Sequence, residues 1–295
     1  MKLLVTGANG FLGQHLALHM HNKLYDLYPV SRGAKRIPIA EIPYYQLELT
    51  DRQAVLNFVD QIKPDCIIHT AAMSKPDECF YNQAECILQN VTATEFLLEA
   101  AKQVSARFVY VSTDFIYGEG GPHSENAIPN PLNFYGETKL MAENLVKTSG
   151  LRHNIIRPVF IYGTHWDGMR PSFIQWVKLN LETNKKIKVV TDQLRTATYV
   201  GDICKGIELL LHLETNEDFH FAGSDILSPY EMAVLVAKVV GLNKDLIEPV
   251  TADSFPEIVR RAKKSGLKIE KAKALLGYQP QSFEEGVKLS FGLKP

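Results

Sequence analysis

Several large protein classes are excluded by what this 295-residue chain lacks. It has four cysteines, Cys66, Cys79, Cys86 and Cys204, and none stands in a Cys-x-x-Cys pair. That spacing gives no disulfide framework, so reduced thiols are expected. No group of residues shows metal-ligand spacing, and no metal is expected. Thirty-two Lys and Arg against 33 Asp and Glu leave a net charge of −1, which exerts no long-range pull on nucleic acid or an anionic membrane. No apolar run approaches the roughly 20 residues that cross a bilayer. The first strand begins at Lys2 and leaves no room for a signal peptide, so the expected location is the cytoplasm. Repeats, low-complexity tracts and flexible linkers are absent. Asn90-Val91-Thr92 matches a glycosylation sequon, but it opens an apolar helix and is read as chance.

What is present is ordinary in bulk, with 45% apolar and 22% charged residues, as in a globular protein with a sizeable core. The specific signal stands at the start. Leu3-Leu4-Val5 is a short apolar run, Gly7, Gly10 and Gly13 follow three apart, and Phe11, Leu12, Leu16, Leu18 and Met20 recur with helical period. Such a turn lets Gly7 bend the chain, Gly10 admit a phosphate and Gly13 bring helix against strand. Asn9, Phe11 and Leu12 complete it, and the helix N-terminus offers free N–H groups to a pyrophosphate. Dinucleotide binding is expected.

Strand–helix alternation continues down the chain. A second strand, Tyr25 to Val30, runs into Ser31-Arg32-Gly33-Ala34-Lys35-Arg36 without the acidic residue that holds a ribose 2′-hydroxyl. Ser31 and Arg32, with Lys35 and Arg36 nearby, suit a 2′-phosphate instead, so NADP(H) is expected ahead of NAD(H). A third strand, Tyr44 to Leu47, leads through Glu48-Leu49, assigned to the cofactor, to a helix capped by Thr50 or Asp51. Cys66 to His69 is a strand buried on both faces. Ala71-Ala72 after it are small enough for a cofactor to lie close, and His69 is read as a packed strand-end residue. Residues 73–89 are a loop or short helix near the substrate, and a helix is expected from Asn90 to Val104.

The strand Arg107 to Val111 ends in Ser112-Thr113-Asp114, where hydroxyls and a carboxylate face a ligand. Further on, Tyr135 and Lys139 are four apart, so they share one helix face one turn apart. Helical side chains lean toward the N-terminus, which points the Lys139 ammonium back at Tyr135 and is expected to lower the phenol pKa. Arg157, Arg195, Arg260 and Arg261 are candidates for a nucleotide diphosphate. Later helices are expected from Phe173 to Leu181, from Val200 to Leu213 with Asp202 as cap, and behind capping boxes at Ser228 and Ser282.

Thr6 to Gly13, Thr113 and Tyr135-Gly136-Glu137-Thr138-Lys139 together resemble the extended short-chain dehydrogenases/reductases. Pro64 to Ala72, Val111 to Tyr117, Pro131 to Lys139 and Asp192-Gln193 are similar to the dTDP-4-dehydrorhamnose reductases among them. The resemblance covers most of the first 215 residues. It implies an α/β fold: a Rossmann-type doubly wound parallel sheet with a smaller C-terminal α/β substrate lobe. The division expected is residues 1–160 for NADP(H), with 161–295 mainly binding substrate and 191–217 returning to the first domain. It also implies Tyr135 as general acid/base, Lys139 on the nicotinamide ribose, Thr113 orienting a carbonyl and Asn90 supporting the lysine through water. The cofactor set is then Gly7, Asn9, Gly10, Phe11, Leu12, Gly13, Ser31, Arg32, Glu48, Leu49, Ala71, Ala72, Asn90, Tyr135, Lys139 and Arg157. The substrate set is Ser112, Thr113, Asp114, Arg195 and Arg261.

The function implied is NADPH-dependent reduction of a nucleotide-linked keto sugar, with a homodimer as candidate assembly. Two alternatives stay open. Phe115-Ile116-Tyr117 is closer to the form of the sugar-nucleotide epimerases. A non-catalytic relative, such as the regulatory β subunit of methionine adenosyltransferase, shares the fold. A 4,6-dehydratase is disfavoured because Phe115, not an acid, follows Asp114.

Overall fold

Leu3, Leu4 and Val5 are fully buried, and so are Ile67, Ile68, Phe108 and Val109 in the strands beside them. Strands apolar on both faces need cover on both, which a parallel sheet between helix layers provides. The computed structural model describes residues 1–21 and 23–294. Its strands are β1 (Lys2–Thr6), β2 (Asp26–Ser31), β3 (Tyr45–Gln46), β4 (Cys66–His69), β5 (Arg107–Val111), β6 (His153–Pro158), β7 (Ile161–Tyr162), β8 (Ile187–Val190), β9 (Thr198–Tyr199), β10 (Glu217–Phe221) and β11 (Ile247–Val250). Seven of them form one sheet in the order β10-β6-β5-β4-β1-β2-β3. Every pair in it is parallel.

The helices are α1 (Phe11–His21), α2 (Arg52–Ile62), α3 (Pro76–Tyr81), α4 (Gln83–Ile87), α5 (Ala93–Val104), α6 (Phe134–Thr148), α7 (Phe173–Glu182), α8 (Val200–Leu210), α9 (Pro229–Val240), α10 (Glu270–Leu276) and α11 (Phe283–Ser290). Helices α2, α5 and α6 pack side by side, and α1 packs on α8. They cover opposite faces, giving two core clusters with β1, β4 and β5 contributing to both. This is the expected doubly wound Rossmann-type sheet. From β1 the chain builds outward to β3, then reverses to β4, β5 and β6, so the crevice for a ligand opens between β1 and β4.

A third cluster, around Tyr162, Ile174, Val177, Met232, Val236 and Val287, is built from α7, α9, α11 and the two-stranded pairs β8–β11 and β7–β9. Residues after 160 also serve the large sheet, since β10 is its edge strand beside β6.

Local chemistry explains most element ends. Asp51 caps α2 by accepting from Ala54 N at 3.0 Å. Ser228 and Ser282 open α9 and α11 with the expected capping boxes. Asp202 is a correction: Tyr199 is the N-cap of α8, and the Asp202 carboxylate accepts from Gln281 N at 2.8 Å. The helix expected from Asn90 is preceded by one wide π turn, Leu88–Thr92, and only then becomes α5. Asn90 in that turn is turned inward by bonds of its own, described below.

The first turn is where glycine is needed for space. Gly7 has φ +70°, and a Cβ on it would lie 2.7 Å from Ala71 N. A Cβ on Gly13 would lie 2.2 Å from Gly7 O. Backbone on both sides cannot yield, so Gly13→Ala is expected to cost on the order of 1–3 kcal/mol. It should also distort the turn that presents the N–H groups. Urea unfolding and dinucleotide titration check both effects.

Candidate active site

Two turns bring the candidate catalytic residues together. β5 ends at Val111, and Thr113 then caps a short 3₁₀ turn, its Oγ1 accepting from Phe115 N at 3.3 Å. Asn133 caps α6, its Oδ1 accepting from Gly136 N at 3.1 Å. A Cβ on Gly136 would lie 2.2 Å from Phe115 O, so this glycine lets the first turn of α6 press on the 3₁₀ turn. Tyr135 consequently stands beside Thr113, its ring edge-on to Phe115 with centroids 5.5 Å apart. One turn on, Lys139 Nζ donates to Val111 O at 2.8 Å and lies 4.1 Å from the centroid of the Tyr110 ring.

Thr113, Tyr135 and Lys139 line one cleft of about 780 Å³ with Gly7, Gly10, Phe11, Leu12 and Gly13. That is the size of a cofactor-plus-substrate site. Ser31, Arg32, Glu48, Leu49, Ala71 and Ala72 line it toward β2 and β3, and Ser112 and Asp114 line it beside Thr113. Ser112 Oγ is buried without a hydrogen-bond partner. Lys75, on the loop before α3, and Arg170, just before α7, form part of the far wall. No spacing in the sequence singled these two out, because the third core cluster is what carries Arg170 to the cleft.

The electrostatics depart from expectation at the tyrosine. Burial pushes the Tyr135 phenol above its ordinary range, and the Thr113 hydroxyl beside it pulls the other way. Lys139 is buried too, which lowers its ammonium to about 7, with Glu143 and Cys86 opposing the shift. The phenol is therefore raised, not lowered as expected, because desolvation dominates. Tyr135 remains a phenol at neutral pH, the form that donates a proton.

Several assigned residues lie elsewhere. Arg157 is 2% exposed and does not line the cleft. Its guanidinium holds Glu143 at 2.9 and 2.7 Å, Asp218 at 2.9 Å and Tyr117 Oη at 3.1 Å. A diphosphate has no access to it. Asn90 makes no direct hydrogen bond to Lys139. Its amide binds Met73 N and O at 2.7 and 3.1 Å, Cys86 Sγ at 3.3 Å and Thr138 Oγ1 at 3.1 Å, fixing the loop after Ala72.

Asn9 builds the floor of the Ser31–Arg36 loop instead of lining the cleft. It donates to Arg32 O and Ala34 O at 3.0 and 2.9 Å and accepts from Arg36 N at 2.9 Å. Lys35 Nζ is taken by the carbonyls of Ile39, Ala40 and Ile42, which leaves Ser31 and Arg32 at the cleft.

Arg195 and Arg261 line a small side chamber behind Asp114 and Phe115. Arg195 donates to Ala262 O at 2.9 Å and Ser265 Oγ at 2.8 Å. Arg261 is bidentate to Asp77, both contacts at 3.0 Å. Arg260 is exposed, and its carbonyl accepts from Asn133 Nδ2 at 3.0 Å. His69 is packed as expected, bonded to Thr6 Oγ1 at 2.7 Å and Thr94 Oγ1 at 3.1 Å.

The family model described as "RmlD substrate binding domain" matches residues 1–292. The chain belongs to this family. Among its relatives, the dTDP-4-dehydrorhamnose reductase of Aggregatibacter actinomycetemcomitans is 29% identical over 97% of each chain. The methionine adenosyltransferase 2 subunit beta of Pongo abelii is 30% identical over 98% of this chain and 86% of that protein. The solved dTDP-4-dehydrorhamnose reductase of Bacillus anthracis, in complex with NADP, superposes with a TM-score of 0.86 at 28% identity and 99% coverage of each chain. The fold of this family member is therefore that of the sugar-nucleotide reductases of the extended short-chain dehydrogenase/reductase type.

The residues present fit a dinucleotide. The turn from Gly7 to Gly13 has no side chain at the three positions where one would fill the approach, and Gly7 and Gly13 admit no Cβ. The N-terminus of the eleven-residue α1 opens at it. Arg32 stands at the far end with its guanidinium largely exposed, 3.9 Å from Glu48, free to meet a phosphate. Among the described residues no group of three or more His, Cys, Asp or Glu side chains is placed to hold a metal ion. No helix there is long and apolar enough to cross a membrane.

Proposed function

We propose that the chain is an NADPH-dependent oxidoreductase that reduces a nucleotide-linked 4-keto sugar. The observation that carries the reading is the meeting of Thr113, Tyr135 and Lys139 with the glycine turn in one cleft. Gly7 to Gly13 would hold the pyrophosphate, Ser31 and Arg32 the adenosine 2′-phosphate, and Lys139 the nicotinamide ribose. When bound, NADPH supplies the hydride taken by the carbonyl carbon. Tyr135 gives its phenolic proton to the carbonyl oxygen, and its raised pKa keeps that proton in place until the oxygen becomes basic. Thr113 directs the oxygen toward it. Burial of the site removes competing water and fixes the geometry of approach.

The reading is tested by following NADPH oxidation with nucleotide-linked 4-keto sugars. One NADPH consumed per sugar reduced is expected. Sugar interconversion without NADPH consumption, by protein that keeps its dinucleotide through turnover, would establish an epimerase instead. A second reading is favoured by the 30% identity to a methionine adenosyltransferase β subunit. It takes the chain as a regulatory partner. No turnover of any keto sugar, together with stable co-purification of a catalytic partner, would replace the reductase by that reading.

Cofactor choice follows from Arg32. A charge-assisted hydrogen bond is worth about 1.5–3 kcal/mol, so NADPH is expected to bind roughly tenfold or more tightly than NADH. In Arg32→Ala the preference should collapse, with NADH affinity unchanged. Titration of both dinucleotides into both proteins decides it, and equal affinities in the native chain would refute the assignment.

A further inference from the structure

Along α6, Tyr135, Lys139, Glu143 and Lys147 recur every four residues, so they run down one side of the helix for about 18 Å. The first lines the cleft and the last is half-exposed at the end of the helix. Glu143 between them is 0% exposed, and an isolated carboxylate at such a depth would be costly. It is not isolated. Arg157, from β6, clamps it through two hydrogen bonds at 2.9 and 2.7 Å. Arg157 also meets Asp218, from β10, at 2.9 Å. Lys147 closes the set, 2.8 Å from Asp218 and 3.8 Å from Glu143.

We propose that Glu143, Arg157, Asp218 and Lys147 form a chain of alternating charge, running from the interior to the surface, whose inner end favours the charged form of Lys139, which makes Glu143 a positioning residue for the active site. Among the described residues Lys139 itself has no ion-pair partner within 4.0 Å. Its hydrogen bond goes to the Val111 carbonyl, and its other neighbours are Tyr110 below it on β5, Tyr135 on its own helix, Cys86 on α4 and His69 on β4. His69 is neutral near pH 7, since burial drives it down to about 3. Neither Tyr110 nor Tyr135 carries charge there, as burial raises both phenols. Glu143, one turn further along α6, is the carboxylate that favours the charged form of Lys139, and the Cys86 thiol, shifted down by its hydrogen bond with Cys79, acts in the same direction. Glu143 in turn stays in the protein interior because Arg157 neutralises it, and Asp218 and Lys147 lead the alternation out to solvent.

The inference rests on the reading of Lys139 as the partner of Tyr135, but its test needs neither cofactor nor substrate. The full-length protein is labelled with ¹³Cε-lysine and titrated by NMR, the Lys139 resonance being the one lost in Lys139→Arg. The native resonance is expected to titrate near 7. Glu143→Gln should move its midpoint down by about one to three pH units, the effect of removing a nearby opposite charge. Two milder variants at the solvent end carry opposite signs. Asp218→Asn should lower the midpoint by a smaller amount, and Lys147→Met should raise it. A structural disturbance alone would not produce opposite shifts. A Lys139 midpoint unmoved in Glu143→Gln, or moved the same way by Asp218→Asn and Lys147→Met, overturns the proposal. If Glu143→Gln does not fold, the two outer variants decide by themselves. Failure of NADPH oxidation would overturn the reductase reading and leave these midpoints unaffected.

Discussion

Tyr135→Phe is expected to lower turnover of a keto-sugar substrate by about 10²–10⁴, the usual contribution of a positioned acid. Only the hydroxyl is lost. The ring keeps its edge-on contact with Phe115 and its place under the cleft wall, so folding and NADPH affinity should stay close to native. Lys139→Met should lose turnover and also weaken NADPH, because the ammonium is assigned to both tasks. Combined, the two losses should fall well short of additive, as they do for residues that act as one unit. Steady-state kinetics with a dinucleotide titration on the three variants gives the answer. Full activity in Tyr135→Phe would remove Tyr135 from the mechanism.

Arg157→Met should unfold the protein far more readily, with an expected loss of about 3–5 kcal/mol in urea titration. The cost arises because Glu143, fully buried, is left without its bidentate partner. Arg261→Met provides the contrast. Its pair with Asp77 is partly exposed on both sides, 29% and 48%, and the expected loss is below about 1 kcal/mol. Residue type alone makes Arg157 a candidate phosphate ligand. Stability near native in Arg157→Met would contradict the structural role assigned here.

These two arginines illustrate what residue type does not reveal. A guanidinium suits a phosphate and a carboxylate equally, and the choice depends on which of them the fold brings within 3 Å. Glu143 and Asp218 come from a helix and from an edge strand added late in the chain, so no local pattern announced the pairing. Asn9 and Asn90 behave alike in this respect. Each belongs to a recognisable motif, yet each amide is used to hold a loop, one at residues 32–36 and the other at Met73.

The sequence by itself determined the sheet and which residues are the candidates for catalysis. Continuous apolar runs at β1, β4 and β5 could be satisfied only by burial on both faces. Glycines three apart, set between an apolar run and a helical period, marked a strand turning into a helix. The four-residue spacing of Tyr135 and Lys139 fixed their common face because helical geometry is local. Tertiary structure alone decided the rest. It decided that Gly136 would let α6 meet the turn at Thr113, and that Arg170 and Lys75 would close the far wall. It also decided the charge balance, since a pKa is set by depth and by neighbours remote in sequence. Tyr135 stays protonated and Lys139 loses affinity for its proton because both are buried, and burial belongs to the assembled fold rather than to any stretch of the chain.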